Sequence, residues 1–323
     1  MKVYGAPKRV WLFNLEDPHV ELERRIAAAC KKWGIDEVDL GDRLYVDSGR
    51  DQPLCLAETT KNKTKIAKPV SDRLIAQIKE KQIDVVIIDP FVSSHSVSEN
   101  DNSAIDKVVK EWCHIAHEGN CAIELVHHSR KMNGQEATAD SSRGASSLVA
   151  AARSVRVLNQ MTKKQAEEAG EETHRGIFSV VDDKNNLAPP AGDEDWFKIV
   201  NVRLDNGDDV GVVTKWRWPD PMAGIGDIKL LAVQQAVDGQ SLRENCQAKD
   251  WVGHAIAPVL GLGLDLTNVT NKSKVKRLIK TWVSSGALKI TDMKDASGKS
   301  RPIIEVGKWA TPQPPPPCEV GGE

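Results

Sequence analysis

The sequence predicts an α/β protein: a wound, mostly parallel sheet with added β-hairpins, followed by a smaller domain of helices and strands. Three observations predict it. Strand-like apolar runs alternate with helical periodicity up to about residue 160, the pattern of a wound sheet. One run, 84–89 (DVVIID), is continuously apolar and closed by an acid, as strands buried on both faces of a parallel sheet are. A Pro- and Gly-bearing break at 219–226 then separates a second set of helices and strands. The expected organisation is 1–218, a linker at 219–226, a second domain at 227–310 and a disordered tail at 311–323.

In order, 9–15 reads as a strand ending in Glu16-Asp17-Pro18, with Asp17 as helix N-cap and Pro18 at the first helical position. Val20, Leu22, Ile26, Ala29, Cys30 and Trp33 give helical spacing, stopped by Gly34. A short strand is expected at 44–46, a surface loop at 51–65 and a helix at 70–82. Strand 84–89, helix 102–117 and strand 121–127 follow, then a polar loop at 129–142, a helix at 145–153 and a strand at 155–158. Runs at 176–181, 196–204 and 210–218 look like hairpins added to one sheet edge. Beyond the linker come helices at 227–237, 244–257 and 272–285, then strands at 287–291 and 302–306 around a charged tip.

The bulk numbers exclude several classes. Hydrophobic residues make up 40% and charged residues 28%, ordinary for a soluble chain able to bury a core. The net charge of −2 gives no global sign of a nucleic-acid partner, so any such partner needs a local patch. Six cysteines without a C-x-x-C pair argue against a zinc ribbon and a secreted disulfide framework. No apolar run has membrane-spanning length and no signal-peptide core follows Met1, so a cytoplasmic protein is expected.

Four places carry possible chemistry. Asp89 ends a buried strand, where an acid either holds Mg²⁺ beside nucleotide phosphates or caps the next loop. Glu16 also ends a strand; it either orients and deprotonates a water attacking a γ-phosphate or favours a helix start. His127 and His128 follow a third strand and either contact phosphate or are plain loop histidines. Zinc is a further alternative there, because Cys113, His114, His117 and Cys121 lie nearby, though Gly119-Asn120 interrupts their helix. Arg143 and Arg153 flank a helix of small residues; each either reaches the phosphate of a neighbouring subunit or makes a surface ion pair.

The order LFNLEDP, VVIIDP, LVHHSRK, SRGASSLVAAARSVRVL, with DDKNNLAPP and VGVVTKWRWP beyond it, resembles the RepA-like hexameric helicases and related AAA-family, RecA-fold ATPases of phages and plasmids. The resemblance spans roughly residues 10–218. It implies ATP and Mg²⁺ as cofactors, a hexameric ring and coupling of ATP hydrolysis to DNA unwinding or translocation. It implies Glu16 as catalytic glutamate, Asp89 as the metal-holding Walker B aspartate, His128 as sensor, Arg153 as arginine finger and Arg143 as a second arginine of that motif. His127 and Lys184 would lie on the nucleotide side. A recombinase-type ATPase shares the same core, and a non-catalytic DNA-binding replication accessory protein is the rival reading.

The family pattern opens with a G-x-x-x-x-G-K-[ST] loop whose backbone N–H groups cradle the phosphates. The 323 residues contain none; Ala296-Ser297-Gly298-Lys299-Ser300 lacks the upstream glycine. The expectation is a shortened chain, without measurable ATPase activity and with an incomplete, poorly stable sheet.

From 266 to 309 there are ten basic residues against three acids, a net of +7. The order of two helices, a basic helix and two strands resembles a winged helix. That resemblance implies DNA contact through Lys272, Lys274, Lys276, Arg277 and Lys280 on the helix and Lys299 and Arg301 on the wing. The alternative is a solvated face on a protein-contact module.

Overall fold

The computed structural model describes residues 5–60, 63–128, 136–139, 146–187, 194–220, 222–262, 269–294 and 298–311. The chain forms two compact units. The first comprises residues 1–160 and 176–216; the second comprises 161–175 and 217–323. The chain therefore passes between them at 160/161, 175/176 and 216/217.

The first unit is built on a four-stranded parallel sheet. Its strands are β1 (Val10–Asn14), β2 (Leu44–Ser48), β5 (Val85–Asp89) and β6 (Ala122–Leu125), in the order β2-β1-β5-β6. The helices α1 (His19–Trp33) and α2 (Glu37–Leu40) lead from β1 to β2. The helices α3 (Lys68–Glu80) and α4 (Asn102–Gly119) flank β5 in sequence. Trp11 and Phe13 of β1 and Val86 and Ile88 of β5 are buried in one core with Leu74 and Ile78 of α3 and Ile105, Val108, Trp112 and Ile115 of α4. The helix stops are those the sequence signals: Gly34 and Asn120 both adopt left-handed backbone after α1 and α4. Asp101 caps α4 by accepting hydrogen bonds from the amides of Ser103 and Ala104.

Several expectations are corrected. Strand β5 is fully buried on one face only, because Val85 and Ile87 on the opposite face are half-buried. Asp17 does not cap α1; Pro18 occupies the cap position without a side-chain bond, and the Asp17 carboxylate pairs with Arg25 at 2.8 Å. The stretch read as a surface loop contains a hairpin, β3 (Ala57–Thr60) with β4 (Lys63–Ile66), and buries Leu54 and Leu56. Apolar residues spaced by two in a lysine-rich setting gave too little period to reveal it.

A second, antiparallel sheet completes this unit: β7 (Ser154–Gln160), β8 (Ile177–Asn185), β9 (Asp195–Arg203) and β10 (Asp209–Trp216), in the order β10-β9-β8-β7. These strands do not extend the parallel sheet, contrary to the expectation of hairpins on its edge. The strand at 155–158 joins them and not the wound sheet. Val210 and Val212 pack on Ala28 of α1, so that helix is shared between the two sheets. The Arg156 guanidinium of β7 bonds the Glu124 carboxylate of β6. The short α5 (Ser146–Ala151) precedes β7.

The second unit contains α6 (Lys163–Ala169), α7 (Asp227–Val237), β11 (Leu242–Arg243), α8 (Gly253–Val259), α9 (Val269–Ser284), β12 (Leu288–Lys294) and β13 (Ser300–Val306). The three strands form a sheet ordered β11-β13-β12. Its core gathers Val233, Val237, Trp251, Ile256, Val275, Leu278, Ile279, Trp282, Leu288 and Ile304. The four α9 members recur at 275, 278, 279 and 282, the helical stripe expected. The helix expected at 244–257 forms only at its end: Arg243 and Trp251 make an isolated bridge, and the helix begins at Gly253. The helix α6, hidden in a charged stretch, was not expected. A reciprocal capping box between Thr162 and Gln165 starts it, and left-handed Gly170 ends it.

No helix among the described residues is long and apolar enough to cross a membrane.

Candidate active site at the strand tips

The register of the parallel sheet sets the site. Asn14 of β1 lies opposite both Ser48 of β2 and Asp89 of β5, so the carboxyl ends of three strands finish in line. The chain then has to turn out of the sheet. Asn14 is buried, and its side-chain oxygen accepts hydrogen bonds from the amides of Glu16 (3.0 Å) and Asp17 (2.7 Å). This Asx-type turn fixes where Glu16 stands. The Ser48 hydroxyl donates to the Asp17 carbonyl at 2.7 Å and the Arg50 Nε to the Glu16 carbonyl at 2.6 Å. Gly49 lies so close to Leu15 that a Cβ there would meet Leu15 Cα at 2.8 Å. The Leu15 amide donates to the Asp89 carbonyl at 2.7 Å, closing the β1 and β5 tips together.

The structure brings Glu16, Asp89 and His128 to this one edge. Burial pushes the Asp89 carboxyl up from its ordinary value, with the Glu16 charge next. Asp17 also raises it, while the charges of His128 and Arg25 pull it back. Each named group is therefore within charge range of Asp89. A half-buried carboxylate with a second carboxylate in charge range is unfavourable unless a cation or a proton joins them. The donor set fits a hard divalent ion: Mg²⁺ takes one or two carboxylates and fills the remaining positions with water or phosphate oxygens. That requirement is compatible with the finding that no described group of three His, Cys, Asp or Glu side chains is arranged as a metal cage. The set Cys113, His114, His117 and Cys121 is included in that finding.

His127 does not join the group. Its ring turns inward, edge-on to Phe91 at 6.2 Å between centroids, with Glu99 at 3.8 Å from Nδ1. Neither ring nitrogen has a hydrogen-bond partner, and neither does Nε2 of the adjacent buried His95. Burial pushes the His95 ring below the ordinary histidine value, Glu99 opposes this, and the His127 charge adds to it.

Arg153 is exposed at the end of α5, and its carbonyl accepts the Asn186 amide at 3.0 Å. Lys184 of β8 is engaged with the chain's own backbone. Its ammonium donates to the carbonyls of Val149 (2.8 Å) and Ala150 (3.0 Å), closing the carboxyl end of α5 just before Arg153. Arg143 lies outside the described residues, as does the stretch 129–135.

In the second unit, Lys274, Lys276 and Lys280 are exposed on α9. Arg277 and Lys272 are engaged within the unit. The Arg277 guanidinium donates to the Pro219 carbonyl at 2.5 Å, and the Lys272 ammonium lies 5.9 Å from the centre of the Trp251 ring. Lys299 is exposed just before β13, and Arg301 is half-buried within it opposite Met293.

Sequence reasoning missed Asn14, Ser48, Arg25, His95 and Glu99. The Asn14 signal was present: an Asn two residues before an acid at a strand end is a turn-former. The others come from distant parts of the chain and leave no local pattern.

Residues 2–134 match the family model described as an AAA domain. The match supports an AAA-type P-loop ATPase family and a nucleotide-dependent ATPase-type function for this part of the chain. An AAA domain implies nucleotide binding, typically with Mg²⁺. The mixed α/β architecture with its four-stranded parallel sheet fits an AAA/RecA-like fold. No curated protein matches the chain.

Proposed function

We propose that the chain is a subunit of a RepA-like, ring-forming ATPase that couples ATP hydrolysis to DNA unwinding or translocation, with a winged-helix unit that contacts DNA. The observation that carries this reading is the convergence of Glu16, Asp89 and His128 at the tips of three adjacent parallel strands. Ligands of open α/β sheets bind at that edge.

In this reading Glu16, exposed and fixed by the Asn14 turn, orients the attacking water and accepts its proton at the carboxylate. Asp89 would hold Mg²⁺, which supplies charge compensation for the phosphates. His128 reports on the γ-phosphate position. Arg153, presented on a turn held by Lys184 and Asn186, is lent to the site of a neighbouring copy, which is why a ring is required. Arg143 would act beside it.

No G-x-x-x-x-G-K-[ST] loop occurs in the 323 residues, so the positioning of the triphosphate is weak and hydrolysis by this chain alone stays at background. Phosphate release from Mg-ATP by the purified chain measures this. Turnover clearly above background that Asp89→Ala abolishes would overturn it. A second reading, a DNA-binding accessory protein with a silent α/β part, is favoured by the same missing loop and by the +7 stretch at 266–309. Placing a strand, a Gly-Lys-Ser/Thr loop and a helix ahead of residue 1 separates the two. The motor reading expects ATP hydrolysis that requires Glu16; the accessory reading expects none.

A further inference from the structure

The helix α6 departs from the sheet to which its neighbours belong. It is inserted between β7 and β8, both strands of the first unit, yet it belongs to the second. There it packs on α9, the basic helix. Ala166 and Ala169 are buried, and a Cβ on Gly170 would meet Thr270 Cγ2, in the first turn of α9, at 3.3 Å. The approach is close because α6 offers only small residues at that side. Its exposed side chains are Lys163, Lys164, Glu167 and Glu168; just beyond the helix Glu172 is exposed and Glu171 half-exposed. The α9 stretch 269–284 carries Lys272, Lys274, Lys276, Arg277 and Lys280 and no acid.

A helix that enters a DNA groove reads bases chiefly with its amino-terminal residues. In this chain that end of α9 is the part α6 lies against. We propose that α6 is a built-in cover for α9: it occupies the amino-terminal end of the basic helix and has to move aside before duplex DNA can seat there. The proposal rests on the reading of α9 as the DNA-contacting helix. Its consequence is a gated interaction. The chain enters α6 from β7 and leaves it toward β8.

The test uses the full chain and a fluorescently labelled DNA duplex, with affinity read by anisotropy at one fixed salt concentration. Ala169→Gln puts a long neutral side chain at a buried contact and lifts α6 without adding charge; duplex binding should tighten at least fivefold. Lys276→Glu combined with Lys280→Glu should weaken binding at least tenfold, with or without Ala169→Gln. Unchanged or weaker binding by Ala169→Gln, while the lysine pair still matters, overturns the cover and leaves the DNA reading standing. Duplex binding that ignores the lysine pair overturns the DNA reading and the cover with it. Amide hydrogen exchange on the unaltered chain provides the second measurement. On adding duplex, amides of 163–169 should exchange faster while those of 272–280 slow. Exchange in 163–169 that stays constant or slows overturns the cover.

Discussion

The first unit gathers acids at one edge of a sheet, the second lines one helix with bases, and the difference shows in how each is built. Glu16 and Asp89 put negative charge on one edge, and burial followed by the Glu16 charge raises the Asp89 carboxyl. The α9 lysines attract phosphate directly, need no cation and sit on solvent at little cost. The acidic edge comes from two strands far apart in sequence; the basic face comes from one helix.

The largest expected effect sharpens the basic side. With Lys274, Lys276 and Lys280 each neutralising one phosphate, duplex affinity should fall about 40-fold between 50 and 200 mM salt, and Lys276→Glu with Lys280→Glu should reduce the logarithmic slope by about two. A flat salt response breaks the contrast and assigns α9 to protein contacts. Next comes a control within the first unit, for an acid that is structural. Glu111 is buried in α4; burial pushes its carboxyl up, but hydrogen bonds from Lys68 and Ser71 prevail and hold it below the ordinary value. Glu111→Ala should cost about 1–3 kcal/mol in urea unfolding, because Ser71 is left buried without its partner. No loss would mean that α3 and α4 are held by apolar packing alone.

A third expectation concerns His95. The folded chain accommodates its neutral ring, so the unfolded chain binds the proton more readily. Stability is therefore full above the ordinary histidine value of 6.5 and is lost as pH falls below it. Thermal midpoints at pH 7 and 5.5 should differ less in His95→Phe than in the unaltered chain. An equal drop in both would remove His95 as the cause. The smallest effect is at Asp89 itself. A carboxyl raised in the fold is destabilising once ionised, so stability declines as pH rises through its raised value. Asp89→Asn should raise the thermal midpoint by about 2 °C at pH 7 and leave it unchanged below the ordinary carboxylate range. A lower midpoint at pH 7 would show that the edge is not repulsive.

How much of this was legible in the sequence follows from the same contrast. The runs at 84–89 and 272–285 carried their own period, and the strand and helix formed close to where they were expected. The alignment of Glu16 with Asp89 was legible only as a family pattern, because sheet register is a tertiary fact. The separate antiparallel sheet was not legible: hydrophobic alternation in β8, β9 and β10 shows that strands exist and says nothing of which sheet they join. The destination of Lys184 was also hidden, since the carbonyls of α5 that it caps lie 35 and 34 positions earlier. Nor could α6 be read: a short helix in a charged segment carries no apolar period, and nothing local names the helix it packs on.

The central claim is that Glu16, Asp89 and His128 face one ion-binding point. Proton NMR of the histidine rings during titration with millimolar Mn²⁺ tests it most directly. His128 signals should broaden first, those of His114 and His117 should stay sharp, and Asp89→Asn should abolish the effect. Broadening that spares His128, or that persists unchanged in Asp89→Asn, would contradict the claim.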